Sequence, residues 1–315
     1  MNVLTEKYRP EKREDIVGNK ETIDKIFSVV NSGKLCHMIF EGIAGSGKTS
    51  TAKAIAKQLF GTNIKMNYLE LNASDERGIE TVQEKIKMFA KVVPFQTGVK
   101  LILLDEGDEM TATAQNALRG IMEQYANICI FIFTANNAER LIEPIRSRCE
   151  VFHFGPISTD DMIVRLTKIY EDERKIPITS VPSLEEQLAL RKIAEYSQGD
   201  MRRALNHLQV LLSSGEPLSE ASVDTIKPID FGKMIFDALQ AGRFLEARSH
   251  VFKALELGYD ARNLLSLCHK VYIASDVDIS TMKIAIISLS ECDYRMTQGV
   301  DKVLALDAVL LRLMK

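Results

Sequence analysis

Up to about residue 155 the chain alternates short apolar runs with longer polar stretches. The runs are His37-Met38-Ile39-Phe40, Tyr68-Leu69-Glu70-Leu71, Leu101-Ile102-Leu103-Leu104, Ile128 to Phe133 and Val151-Phe152-His153-Phe154. Between them lie segments such as Thr51 to Phe60 and Thr111 to Tyr125, rich in Ala, Leu, Gln, Glu and Lys. Buried strands alternating with helices predict an α/β domain, a parallel sheet covered by helices on both faces. From Gly155-Pro156 onward the strand signal stops. Residues 160–175 and 184–213 read as helices, separated by Pro177 and Pro182, and Glu216-Pro217 and Lys227-Pro228 punctuate the chain again. No proline follows Pro228, and the spacing of Leu306, Val309, Leu310 and Leu313 draws one apolar stripe along a helix. The expected organisation is an α/β domain over 1–155, a small helical domain over 156–227 and an all-α domain over 228–315.

Chemistry enters at Gly42-Ile43-Ala44-Gly45-Ser46-Gly47-Lys48-Thr49, which fits G-x-x-x-x-G-K-[ST]. It follows the first apolar run and opens a helix-like segment, the context a phosphate-binding P-loop requires. Small residues let the backbone N–H groups curl toward phosphates, and the helix N-terminus adds partial positive charge. Gly42, Ala44, Gly45, Ser46, Gly47 and Ser50 are therefore expected around the phosphates. Lys48 is expected on the β- and γ-phosphates and Thr49 on Mg²⁺. The second element is the run Leu101 to Leu104 followed by Asp105-Glu106. It places two carboxylates at the C-terminal end of a strand, where open α/β sheets bind ligands. Asp105 is suited to hold Mg²⁺ and Glu106 to polarise an attacking water. Taken alone, such a pair marks only a strand's exit to solvent; the P-loop gives it meaning.

Composition mostly excludes. The net charge of -3 over 315 residues does not mark a general nucleic-acid binder, so any DNA contact needs a local patch or several subunits. The five cysteines form no C-x-x-C pair, which argues against a zinc site or a disulfide framework and for a reducing, intracellular compartment. The first fifteen residues have no apolar signal-peptide core, and no apolar run approaches the roughly 18 residues that span a bilayer. No membrane partner is expected. Cys149 reads as a packing residue rather than a nucleophile, and His37 and His153 as sheet residues rather than ligands.

Further segments resemble the AAA+ small subunits of replication factor C, the sliding-clamp loader of eukaryotes and archaea. They are Glu6 to Pro10, Ile16 to Asn19, Leu71 to Ile79, Asp105 to Thr111, Ile142 to Cys149 and Gly199 to Asn206. Ser147-Arg148-Cys149 is the most specific piece, and the resemblance is dense from residue 5 to about 212. It implies an AAA+ domain, a helical lid and an all-α collar. It also implies an ATPase using ATP and Mg²⁺, within a hetero-pentamer that opens a sliding clamp and loads it onto primer–template DNA in replication and repair. Tyr8, Arg9 and Pro10 would lie by adenine and ribose, with Val17 and Gly18 lining the base pocket. Asn136 would orient the lytic water with Glu106. Arg202 would reach the γ-phosphate from the lid, and Arg148 would act on the neighbouring subunit's ATP. Arg77, Lys85 and Lys87 are DNA-contact candidates. Two other readings stand beside this one: a non-hydrolysing structural subunit of the same ring, and a hexameric branch-migration helicase. The stretch 17–23 is more similar to eukaryotic small subunits, which would make the protein nuclear; an archaeal source would make it cytoplasmic. Gly107 stands where the family usually has alanine, which would loosen the backbone, and Gly120 where it usually has a second arginine.

Overall fold

A computed structural model describes residues 3–73, 79–174, 182–215, 217–226 and 230–314. By its internal packing the chain divides into two units, Met1–Lys227 and Pro228–Lys315. The first is built on strands β1 (His37–Gly42), β2 (Tyr68–Asn72), β3 (Lys100–Asp105), β4 (Cys129–Ala135) and β5 (Cys149–Phe154). All neighbours are parallel, in the order β2-β3-β4-β1-β5. Helices α1 (Leu4–Lys7), α2 (Lys20–Asn31), α3 (Lys48–Phe60), α4 (Ile64–Asn67), α5 (Ile79–Lys91), α6 (Ala112–Gln124) and α7 (Glu143–Arg146) precede or connect them. Then follow α8 (Thr159–Arg174), α9 (Leu184–Ser197), α10 (Met201–Ser214) and α11 (Glu220–Thr225).

The period of two in a strand explains the two cores. Met38 and Phe40 of β1, with Leu101 and Leu103 of β3 and Ile132 of β4, pack against Ile26 and Phe27 of α2 and Ile55 of α3. The intervening Ile39, Ile102, Leu104, Phe131 and Phe133 point the other way, onto Ile86 of α5 and Leu118, Ile121 and Met122 of α6. Central strands buried on both faces therefore read as unbroken apolar runs. The edge strand β5 alternates instead, with Phe152 and Phe154 buried and His153 exposed. Helices α8, α9 and α10 share a separate core, built from Leu166, Ile169, Ala189, Ile193, Leu205 and Leu208 at three- and four-residue spacings. The N-terminal segment is tied to it: Leu4 is buried there, and Tyr8 Oη donates to Glu173 at 2.8 Å.

One sequence expectation needs correction. The helix read across 184–213 is two helices, α9 and α10. Gln198 (φ 49°) and Gly199 (φ 83°) turn left-handed, and the Asp200 side chain caps α10 by accepting from the Arg203 N–H at 3.1 Å. A Cβ on Gly199 would lie 2.4 Å from Pro156 Cβ, so only glycine fits the turn.

The second unit is helical among its described residues: α12 (Phe231–Gln240), α13 (Phe244–Glu256), α14 (Ala261–Ala274), α15 (Ile279–Thr297) and α16 (Lys302–Leu313). Its core includes Phe231, Leu239, Leu264, Tyr272, Leu306 and Leu310. Among the described residues no helix is long and apolar enough to cross a membrane.

Candidate nucleotide site

Three adjacent strands, β3, β4 and β1, end at the same edge of the sheet and deliver Asp105, Ala135-Asn136 and the P-loop to one cleft. The P-loop is fastened from several sides. Ser46 is buried and donates its hydroxyl to the Ile43 carbonyl at 2.8 Å, while Asn19 Nδ2 donates to the Ser46 carbonyl at 3.3 Å. Gly45 (φ 69°) has no room for a side chain, because a Cβ there would lie 1.8 Å from Asp200 Oδ1. The Met201 N–H also donates to the Gly45 carbonyl at 3.3 Å, so the start of α10 rests directly on the loop. Gly45→Ala is expected to add about 1–2 kcal/mol of left-handed backbone strain and to push α10 off the loop. Through the displacement of Arg202, which the resemblance puts at the γ-phosphate, ATP affinity should fall about tenfold, the equivalent of 1.4 kcal/mol. Nucleotide titration checks this, and an affinity equal to wild type would contradict the contact's importance.

Lys48 opens α3 and is 9% exposed. Its Nζ donates to the carbonyls of Gly42 (2.6 Å) and Ile43 (2.9 Å), and Asn136 Oδ1 lies at 3.4 Å. Burial lowers its pKa, and Asp105 and Asp108 oppose that shift. Thr49 Oγ1 donates to Asp105 Oδ1 at 2.8 Å, and Thr134 Oγ1 donates to the same oxygen at 2.5 Å. A hydroxyl and a carboxylate at this distance fit Mg²⁺, which takes few protein oxygens and completes its shell with phosphate and water. The described residues contain no group of three or more His, Cys, Asp or Glu side chains that would instead form an all-protein cage.

Glu106 adopts a left-handed backbone (φ 57°), uncommon for a non-glycine residue, and its N–H donates to Thr134 Oγ1 at 3.0 Å. Gly107 is buried; a Cβ there would press on Phe133 Cδ1 at 3.1 Å, so glycine leaves room for that ring. The expected loosening is thus set in a close-packed position.

The cleft holds about 1100 Å³ of space, open solvent included. Its walls include Tyr8, Arg9, Pro10, Val17, Ala44 to Ser50, Asp105, Glu106, Asn136 and Arg202. Gly18 and Gly42 stand outside this lining: Gly18 abuts Ile157, and Gly42 offers its carbonyl to Lys48. Arg148 lies elsewhere. Its guanidinium donates to Glu123 Oε1 and to the Pro144 carbonyl, each at 2.6 Å. Arg119 and Arg148 together hold the Glu123 carboxyl below the usual range. Lys85 and Lys87 are exposed on α5, and Arg77 lies outside the described residues.

Sequence reasoning missed Asp108, Thr134 and Arg165, which also line the cleft. Arg165 Nη2 donates to the Tyr8 carbonyl at 3.0 Å and fixes the N-terminal segment over the site. Nothing in the spacing of α8 marks it. His37 is a satisfied sheet residue, accepting the Phe131 N–H at Nδ1, and burial lowers its pKa. His153 is exposed and pairs with Glu41 at 2.8 Å. Burial pushes the Cys149 thiol up to about 12, which does not suit a nucleophile, and all five cysteines are free thiols.

Comparison with known proteins places the chain among its relatives. Residues 38–156 match the ATPase family associated with various cellular activities (AAA), and residues 227–312 match the replication factor C C-terminal domain. The replication factor C small subunit of Archaeoglobus fulgidus is 38% identical, covering 98% of this chain and 96% of that protein. That of Methanocella arvoryzae is 35% identical, covering 98% and 95%. These relatives are archaeal and lend no support to a nuclear placement. Among solved structures, the RuvB Holliday junction branch migration motor of Thermotoga maritima is similar in fold. Its TM-score is 0.58 at 15% identity, covering 80% of this chain and 86% of that one. On near-full-length similarity above one third identity, this chain belongs to the replication factor C small-subunit family.

Proposed function

We propose that the chain is an ATP-hydrolysing subunit of a sliding-clamp loader, which opens the clamp and places it on primer–template DNA. ATP is the substrate. Lys48 and the P-loop N–H groups would bind its phosphates, and Tyr8, Arg9, Pro10 and Val17 would border the base and ribose. Thr49 and Asp105 would hold Mg²⁺, which supplies charge neutralisation at the phosphates. Glu106 would take up the proton of the attacking water, with Asn136 orienting that water. Arg202 would bring the lid to the γ-phosphate.

One observation carries the sharing of sites between subunits. Cys149 pairs with His37 at the start of β1, so Arg148 sits at the N-terminal edge of the sheet, whereas the P-loop follows the C-terminal end of β1 at Gly42. The six residues of β1 separate those edges by about 20 Å. That exceeds the reach of an arginine side chain, so Arg148 is available to a neighbour's nucleotide and not to its own. We further propose the division into a nucleotide-binding domain (1–155), a lid (156–227) and a collar (228–315) that joins subunits. Exposed apolar side chains of the last unit, among them Leu245, Ile279, Ile287 and Leu304, favour a partner-facing role. Lys85 and Lys87 remain candidates for phosphate contacts on DNA. A non-hydrolysing role is disfavoured by the presence of Lys48, Asp105 and Glu106 in one cleft. The helicase reading has only a shared fold behind it.

Glu106→Gln tests the function. Loss of the water-polarising carboxylate should slow hydrolysis at this site about 10²-fold, while Asp105 keeps the metal position and ATP affinity stays. Rings carrying it should hold a clamp on primed DNA and release it slowly. Unchanged turnover at this site would remove Glu106 from its role. Normal turnover with no clamp or DNA dependence in wild-type rings would refute clamp loading.

A further inference from the structure

Asp108 has no role in the account so far. It lies on the short turn after Glu106, is 5% exposed, and lines the nucleotide cleft. Its Oδ2 accepts from the backbone N–H groups of Asn136 (3.0 Å) and Asn137 (3.1 Å), the first residues beyond β4. The next N–H, that of Ala138, donates to Glu41 Oε1 at 2.8 Å. Three consecutive peptide donors are thus held by two carboxylates. On the cleft side, Asn136 Oδ1 faces Lys48 Nζ at 3.4 Å. An amide oxygen turned to an ammonium leaves the two Nδ2 hydrogens to donate elsewhere. The orientation of Asn136 is therefore set at both ends, by Lys48 on the side chain and by Asp108 on the backbone.

Stability alone is a poor reason for Asp108. Burying a carboxylate is costly, and among the described residues its buried Oδ1 meets no hydrogen-bond donor. A neutral acceptor of the same shape would serve the two N–H groups at less desolvation. The charge strengthens both hydrogen bonds and stiffens the β4 exit.

We propose that Asp108 is the positioning residue for Asn136, holding the β4 exit so that the Asn136 amide meets the water and γ-phosphate in the reactive geometry. The inference rests on the reading of Asn136 as the water-orienting group. A shift of about 1 Å in such a group costs on the order of 10² in rate.

Two measurements test it. In the wild-type chain, amide hydrogen exchange at Asn136 and Asn137 should be slow; fast exchange there overturns the proposal whether or not any variant folds. In D108A those two amides should exchange at least about tenfold faster, equivalent to about 1.4 kcal/mol of lost protection, while β4 stays protected. Turnover is then measured in rings whose other P-loop lysines are replaced by alanine, so that only this site hydrolyses. D108A should lower turnover about 10²-fold without weakening ATP binding, since the lost charge is of the same sign as the triphosphate. D108N keeps an acceptor oxygen and should recover part of the rate, its neutral hydrogen bonds leaving it below wild type. The double variant D108A/N136A should be no slower than N136A. If N136A is impaired but D108A is not, or if the double variant is slower than N136A, Asp108 does not act through Asn136. If N136A itself turns over normally, the reading of Asn136 fails and this inference with it.

Discussion

Lys48→Ala should leave this subunit unable to retain ATP. The side chain is nearly buried, yet its ammonium is held at the mouth of the P-loop by the carbonyls of Gly42 and Ile43. Burial already disfavours the charge, so the site keeps a cation at some cost, as the proposed phosphate role requires. Bound ATP would take charge-assisted hydrogen bonds from this ammonium on its β- and γ-phosphates, worth about 1.5–3 kcal/mol each, and the substitution deletes them. The triphosphate would then face Asp105, Glu106 and Asp108 without a compensating charge from the loop. A loss of at least about 3 kcal/mol corresponds to roughly 100-fold or more in affinity. The fold should survive, because alanine suits the first turn of α3 and the substitution relieves a buried charge. Titration with labelled nucleotide reads the effect directly. Binding as tight as wild type would mean that the loop does not hold the phosphates.

Much of this architecture is legible in the sequence for physical reasons. The central strands are buried on both faces, so Leu101 to Leu104 and Ile128 to Phe133 stand out as apolar runs. The P-loop is local, so its glycines, Lys48 and Thr49 lie within one short segment. Lys100 was not legible. A lysine at the start of a central strand suggests solvent, but its ammonium donates to the Phe89 carbonyl at 2.6 Å and lies 4.2 Å from that ring's centre. Its partner comes from α5, which no local pattern reveals. Arg165 and Asp108 were hidden for the same reason: each meets its partner across the fold, in Tyr8 and Asn136. The break between α9 and α10 was written in Gly199-Asp200, a left-handed glycine followed by a capping aspartate, but the apolar periodicity on both sides masked it. The position of Arg148 needed the sheet register, because only the pairing of Cys149 with His37 puts it at the edge remote from the P-loop.

Arg148→Ala should leave this subunit's own nucleotide binding intact and impair its neighbour. In the chain alone the guanidinium is held by Glu123 and the Pro144 carbonyl on the surface, aligned but not consumed by the core. Delivered to an adjacent γ-phosphate, it would stabilise charge that develops only in the transition state. Trans arginines of this kind contribute about 10³–10⁵ in well-studied GTPases, so hydrolysis at the neighbouring site should fall about 10³-fold. The total rate of a ring with other intact sites should fall less.

ATPase activity of reconstituted rings, with the clamp and primed DNA present, tests the shared-site account most directly. The wild-type ring should be strongly stimulated and the Arg148→Ala ring much less so, while the isolated chain hydrolyses little ATP with or without the substitution. Equal stimulation of both rings, or full activity of the isolated chain, would contradict it.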